Sequence, residues 1–397
     1  MRRQSAYTFQ ANAALGRHGW VRLTPAYSVH LVEALLDAHP NPEHVLDPFC
    51  GTGTTALCVA QRGCAATTID INPFLAWLSR AKLARYTPSH LSEAEEAGRA
   101  ALALIAKKAV EATAPPPLAR IERWWGPDTL EFLCHLRGAI DVVGSNEAVR
   151  DLLLVAFCRT LMSLSNAAFN HQSLSFSSKI KNNKFEKSGV FMDNLKFVLR
   201  GACENPCVEA HVVCADARRV AAHVREKCDL VITSPPYANR MSYVRELRPY
   251  MYWLGFLTDG RAAGDLDWAA IGGTWGCATS RLVRWARSGC CFTNAQLDAA
   301  LREINREGGR VIISNYIIKY FDDIWEHIND LTNILSSGAR VHYIVGNSMF
   351  YGVLINVQDI LADMLSQLGF TCVAVKPIRR RNSNAALFEF EVSGQWR

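Results

Sequence analysis

Apolar and polar positions change period along this chain, and each change marks the boundary of an element. From Arg22 to Leu36 apolar residues recur at helical spacing after a Pro-containing lead-in, which predicts an amphipathic helix. His44-Val-Leu-Asp47 is a short apolar run before a Gly/Thr-rich turn. Helical periodicity then resumes from Thr54 to Arg62 and stops at Gly63. Ala65 to Asp70 reads as a second strand ending in an acid, with Phe74 to Leu83 as the following helix. Residues 44–83 are therefore a βαβα unit, the building block of parallel sheets.

The strand signal disappears from about residue 90 to 204, where helical stretches dominate: Leu91 to Thr113, Pro127 to Val143 and Glu147 to Leu164. This predicts a helical insertion at 90–204 in a catalytic domain made of 1–90 and 205–397. Within the insertion, Ser173 to Lys187 is polar, basic and aperiodic, and reads as a mobile or ligand-ordered loop. Strands resume at Ala210 to Asp216 and Asp229 to Ser234, both buried-type apolar runs ending in a polar residue. Further on, Val311-Ile-Ile-Ser-Asn is expected as a strand, Phe321 to Leu335 as a helix and Arg340 to Gly346 as a strand. Ile355 to Leu368 and Phe370 to Val375 form a helix-to-strand step, and Ala386 to Val392 alternates like a closing edge strand. The fold class is then α/β: a doubly wound, mostly parallel sheet with a helical insertion.

Composition narrows the setting. The chain has 397 residues, 49% hydrophobic and 20% charged, and no apolar run reaches the roughly 18–20 residues of a membrane-spanning helix. The basic start Met1-Arg-Arg-Gln lacks the apolar core of a secretory signal, so a cytoplasmic protein is expected. Thirteen cysteines, odd in number and without a Cys-x-x-Cys pair, fit reduced and mostly buried thiols better than a disulfide framework or zinc ribbon. The histidines show no metal-like spacing, so no metal is expected. A net charge of +6 is compatible with a polyanionic partner without requiring one.

Two motifs carry chemistry. A glycine loop between strand and helix lets a ligand approach backbone N–H groups, and Gly51 and Gly53 suit that task. An acid ending the next strand, Asp70, is placed to accept hydrogen bonds from two ribose hydroxyls. Those features alone also suit a nicotinamide-dependent oxidoreductase. The second motif, Thr233-Ser-Pro-Pro-Tyr237, follows an apolar strand; its prolines stiffen the turn and supply no backbone donors. Ser234 Oγ and the Pro235 carbonyl can accept hydrogen bonds from an exocyclic base amine. This returns electron density to a nitrogen whose lone pair is delocalised, so that it can attack a methyl sulfonium. Tyr237 offers a flat face for a base extruded from a duplex. Pro206-Cys207 precedes a strand instead of following one and is read as structural, and Trp124-Trp125 as packing of the insertion.

Asp47-Pro-Phe-Cys-Gly-Thr-Gly-Thr-Thr55 together with Thr233 to Tyr237 resembles the amino-group DNA methyltransferases, most closely the branch that modifies cytosine at N4. The resemblance covers most of the chain and implies a Rossmann-like S-adenosyl-L-methionine-dependent fold, with the cofactor beyond the C-terminal ends of the first two strands. It implies an N-terminal cofactor-supporting motif at Thr24 and Pro25 and a cofactor loop of Asp47, Pro48, Phe49, Cys50, Gly51, Gly53, Thr54 and Thr55. Asp70 and Asn72 would lie at the ribose and Asp216 and Ala217 at the adenine. Ser234, Pro235, Pro236 and Tyr237 would hold the target base, the Ser favouring cytosine. Adenine N6 or an RNA base amine are the alternatives. Gly346-Asn-Ser348 and Arg379 to Asn384 are similar to the family's late motifs; Arg379-Arg-Arg381 reads equally as a solvated turn or a phosphate contact. The implied partner is double-stranded DNA with a flipped base; oligomeric state and a companion restriction endonuclease stay open. Cys50 and the long insertion depart from the commonest pattern. Target recognition is open between the insertion, with Lys179, Lys181 and Lys184, and the stretch 257–310, with Trp268, Trp275, Arg281, Arg284, Trp285 and Arg287.

Overall fold

The computed structural model describes residues 9–22, 28–168, 175–176, 186–239, 242–274, 277–287, 289, 292–381 and 386–397. The first unit runs α1 (Val29–Ala38), β1 (His44–Asp47), α2 (Thr54–Gln61), β2 (Ala65–Asp70) and α3 (Pro73–Leu83). Helix α1 starts where Ser28 accepts the His30 amide at 3.2 Å. That is later than the periodicity beginning at Arg22 suggests. Asn72 caps α3 by accepting the Phe74 amide at 3.0 Å, ahead of Pro73 in the first turn.

The insertion is helical: α4 (Pro88–Ala106), α5 (Ile121–Trp124), α6 (Pro127–Val143), α7 (Glu147–Ser163) and α8 (Lys187–Ala202). A two-residue strand pair, β3 (Ala167–Ala168) and β4 (Ser175–Phe176), interrupts it. These helices bury their apolar faces in one core with α3 and with α9 (Tyr243–Trp253), introduced below. Trp124 and Trp125 stack at 5.7 Å within it, and the Trp125 indole donates to the Leu161 carbonyl.

The chain then returns to the sheet with β5 (His211–Cys214) and β6 (Cys228–Thr233). After α9 come α10 (Gly260–Ala269), α11 (Cys277–Arg284), α12 (Ala295–Arg306), α13 (Val311–Leu331) and β7 (Leu335–Gly346). The hairpin β8 (Ser348–Phe350) and β9 (Val353–Ile355), α14 (Val357–Gln367), β10 (Thr371–Arg380) and β11 (Phe388–Gln395) complete it. The seven-stranded sheet has the order β10-β11-β7-β6-β1-β2-β5. All neighbours from β7 to β5 are parallel, and β11 runs antiparallel to both of its neighbours. β1 is buried throughout because helices cover both faces of the sheet, which is why it reads as a continuous apolar run.

Four expectations are corrected. Val311 does not open a strand but a 21-residue helix, whose buried Ile313, Ile317, Tyr320, Ile324 and Ile328 recur at helical spacing. β11 is not an edge strand: it lies between β7 and β10, and the edges are β10 and β5, the latter exposed or half-buried along its length where a buried strand was expected. Among the described residues the cysteines are not mostly buried. Of the described side chains, Cys50, Cys58, Cys134, Cys158 and Cys228 are buried, while Cys203, Cys207, Cys214 and Cys372 are exposed and Cys64 is intermediate. Among the described residues no helix is long and apolar enough to cross a membrane.

Candidate active site

β1 delivers the chain into a tight loop. Gly51 and Gly53 both take positive φ, 52° and 76°, and a Cβ on Gly53 would sit 2.8 Å from Ser79 Oγ. Glycine is thus required at Gly53 by backbone and by space. Asp47 lies beneath the loop, 1% exposed, accepting from the Phe49 amide at 3.1 Å and from Thr233 Oγ1 at 2.6 Å. It joins β1 to β6 instead of facing outward. Lys82 is fully buried and donates to the Thr52 carbonyl at 2.8 Å; burial lowers its ammonium to about 7. Cys50 bonds Ser79 Oγ at 2.9 Å, and burial raises its thiol to about 12, so it packs as a neutral group.

Asp70 ends β2 and accepts the amides of Gly51 at 2.9 Å and Asn72 at 2.8 Å. Burial raises its carboxyl to about 7; the two amides pull the other way, and Asp47 adds to the rise. Beyond β5, Asp216 accepts the Arg218 amide at 2.9 Å and the Arg218 guanidinium at 2.6 Å. The same guanidinium reaches Asp323 Oδ1 at 2.8 Å and the Ala269 carbonyl at 2.7 Å. Burial works against ionisation of Asp216, but Arg218 outweighs it and holds the carboxyl below the usual range. His327, fully buried on α13, bonds the Ala217 carbonyl at 2.8 Å and Tyr343 Oη at 2.9 Å, with its ring edge-on to Phe49 at 4.8 Å. Burial lowers it to about 4, so it is a neutral bridge.

The Ser-Pro-Pro-Tyr turn follows β6. Ser234 Oγ donates to the Ile344 carbonyl of β7 at 3.0 Å, which uses its proton, and its side chain is hydrogen-bonded to the Tyr237 hydroxyl as well. Tyr320 Oη donates to the Pro236 carbonyl at 2.8 Å. The Pro235 carbonyl accepts nothing from the described residues. The Tyr237 ring abuts Gly346, where a Cβ would lie 2.9 Å from Cδ2 and Cε2, and Arg381 Cζ sits 5.4 Å from its centroid. Arg381 is held there by the Asn347 carbonyl at 3.1 Å.

One cavity of about 1000 Å³, including space open to solvent, joins these elements. Pro48, Phe49, Cys50, Gly51, Thr54, Asp70, Asn72, Asp216, Ala217, Ser234 and Pro236 line it, with Thr52, Tyr243, Val244 and residues of 266–273 completing the wall. Asp47, Gly53, Thr55, Pro235 and Tyr237 are not among its lining; Thr55 Oγ1 donates to the Ile232 carbonyl at 3.4 Å. Thr24, Pro25, Lys179, Lys181, Lys184, Trp275 and 382–384 lie outside the described residues. In 257–310, Trp268 packs between Arg281 and Lys319, with cation–ring distances of 5.8 and 5.2 Å. Arg281 pairs with Asp265 and Arg287 with Asp322, while Arg284 is exposed and Trp285 half-buried. Reading the sequence missed Lys82, Arg218, Tyr320 and His327, each of which has a partner far away along the chain.

No family model matches this chain. It is similar along almost its full length to the Type II methyltransferase M.AvaI of Nostoc sp., 22% identical over 95% of this chain and 84% of the relative. To the Type II methyltransferase M.BsoBI of Geobacillus stearothermophilus it is 21% identical over 96% of this chain and 83% of the relative. To the Type II methyltransferase M.MvaI of Kocuria varians it is 24% identical over 63% of this chain and 60% of the relative. With the mostly parallel sheet, these similarities fit a Rossmann-like methyltransferase fold.

Proposed function

We propose that this chain is a site-specific DNA methyltransferase that transfers the methyl of S-adenosyl-L-methionine to an exocyclic base amine, the N4 of cytosine. The observation that carries the reading is the single cavity lined both by the Gly51–Asp70 unit and by Ser234 of the Ser-Pro-Pro-Tyr turn. Its similarity to Type II methyltransferases supports the same class.

The residues present fit the cofactor. Asp70 borders the cavity with its orientation fixed by two amides and has acceptor capacity left for ribose hydroxyls. Phe49, braced by His327, and the Asp216 carboxylate, braced by Arg218, suit an adenine ring and its amino group. When bound, the cofactor supplies an electrophilic methyl group.

Ser234 Oγ, its proton committed to Ile344, and the Pro235 carbonyl accept the two N–H groups of the base amine. That grip aims the nitrogen lone pair at the methyl and raises its electron density. Tyr320 fixes the Pro236 carbonyl, so the turn needs no reorganisation as the base arrives. No covalent link to the chain forms: the new N–C bond would replace the S–C bond of the donor, which leaves as S-adenosylhomocysteine, and the surplus amine proton would pass to water. The cytosine preference rests on Ser234, since the same grip serves the N6 of adenine.

The test is to express the chain in a host lacking DNA methylation, map modified bases in the host DNA, and digest that DNA to nucleosides for mass analysis. N4-methylcytosine at one recurrent sequence is the expected result. N6-methyladenine would correct the base, and unmodified DNA from a folded, cofactor-binding preparation would overturn the proposal.

A further inference from the structure

β7 runs parallel to β6, so its C-terminal end at Gly346 lies on the same sheet edge as Ser234, and Gly346 packs against the Tyr237 ring. The chain then goes straight into the β8–β9 hairpin, whose register pairs Phe350 with Val353 and leaves Tyr351-Gly352 as a two-residue tip. Both tip residues have positive φ, 51° and 81°, the requirement of the tightest hairpin turn. Asn or Gly normally fills the first of these positions. A tyrosine there is strained, at a cost on the order of 1 kcal/mol, and a strained bulky residue held in water points to function.

The tip is exposed on a stiff base. Phe350 and Val353 are buried, and Phe350 meets Tyr316 at 6.0 Å beside Gly272, which itself approaches the Tyr237 carbonyl. Tyr351 is 47% exposed, and Leu354 on the same hairpin is 37% exposed. Five residues of chain keep the Tyr351 Cα within about 17 Å of Gly346, which packs on the target turn. Among the described non-glycine residues with positive φ, Tyr351 is the sole aromatic one.

Resting on the base-amine reading above, we propose that Tyr351 is the wedge that enters the duplex where the target base leaves it, with Leu354 as apolar backing. A flat ring stacked into the gap compensates the unstacking that base extrusion costs. It touches neither the cofactor nor the amine, so it acts on base opening and not on methyl transfer.

The test uses two duplexes carrying the mapped target sequence, one with the target base paired and one with it opposite an abasic site, where no pair must be broken. Tyr351→Asn suits the left-handed turn better than Tyr and is expected to melt no lower than the wild type. It should cut single-turnover methylation of the paired duplex by about tenfold or more, while methylating the abasic-opposed duplex within about twofold of the wild type. Tyr351→Phe should keep both activities. Equal loss on both duplexes, or full activity on the paired one, overturns the wedge. A wild-type chain that methylates neither overturns the functional reading and the wedge with it.

Discussion

The Gly51 amide donates to the Asp70 carboxylate at 2.9 Å, so the loop after β1 and the acid ending β2 form one unit. Neither could shift without the other, and any ligand that bonds Asp70 meets the glycine backbone as well.

A pH dependence follows from that unit. Burial raises the Asp70 carboxyl to about 7, so in the free protein it is protonated below that pH and ionised above it. In the proposed complex ribose hydroxyls donate to the ionised form, so cofactor binding would release the proton. Affinity for S-adenosylhomocysteine should be level above pH about 8 and weaken by up to about tenfold per unit below about 7. Asp70→Asn should bind weakly at every pH and lose the dependence. Calorimetric titration across this range checks it; a level wild-type profile would contradict it.

The two loop glycines should respond differently to alanine. Gly53→Ala meets Ser79 Oγ at 2.8 Å and Cβ at 3.2 Å with φ at 76°. Strain and overlap together should cost about 2–4 kcal/mol and weaken cofactor binding. Gly51→Ala finds no atom closer than the Phe49 carbonyl at 3.9 Å, leaving only the backbone cost of about 1 kcal/mol. Urea unfolding of the two variants tests the order, which equal losses would refute.

Arg17 is 2% exposed and makes hydrogen bonds to the carbonyls of Lys82, Ala84, Gly201 and Ala202 and to Asn205 Oδ1. It ties the N-terminal segment to the ends of α3 and α8. Arg17→Met keeps the apolar stem but strands those acceptors, and should cost about 3 kcal/mol or more. Chemical denaturation reads this directly; a loss under about 1 kcal/mol would show that the staple carries little.

Much of the fold was legible because β1 and β6 are largely apolar runs leading to a polar residue, Asp47 and Ser234, and β2 ends likewise at Asp70. Val311 misled because Val-Ile-Ile is β-branched over three residues, while the helical repeat shows only when followed down to Ile328. β11 misled because an antiparallel strand alternates whether or not it is at an edge; Glu389 faces Arg379, and Glu391 takes His342 at 2.8 Å. In the site, the glycine loop and the Ser-Pro-Pro-Tyr turn are local patterns and could be read. Arg218 with Asp323, Tyr320 with Pro236 and Arg381 with Asn347 are meetings that only the tertiary fold makes.

In the proposed reaction Ser234 and Tyr237 serve the base and not the cofactor. The most direct measurement compares S-adenosylhomocysteine affinity and DNA methylation in Ser234→Ala and Tyr237→Ala. Affinity is expected within about threefold of the wild type in both, with methylation reduced by about a hundredfold or more. Full methylation by both variants would contradict the account.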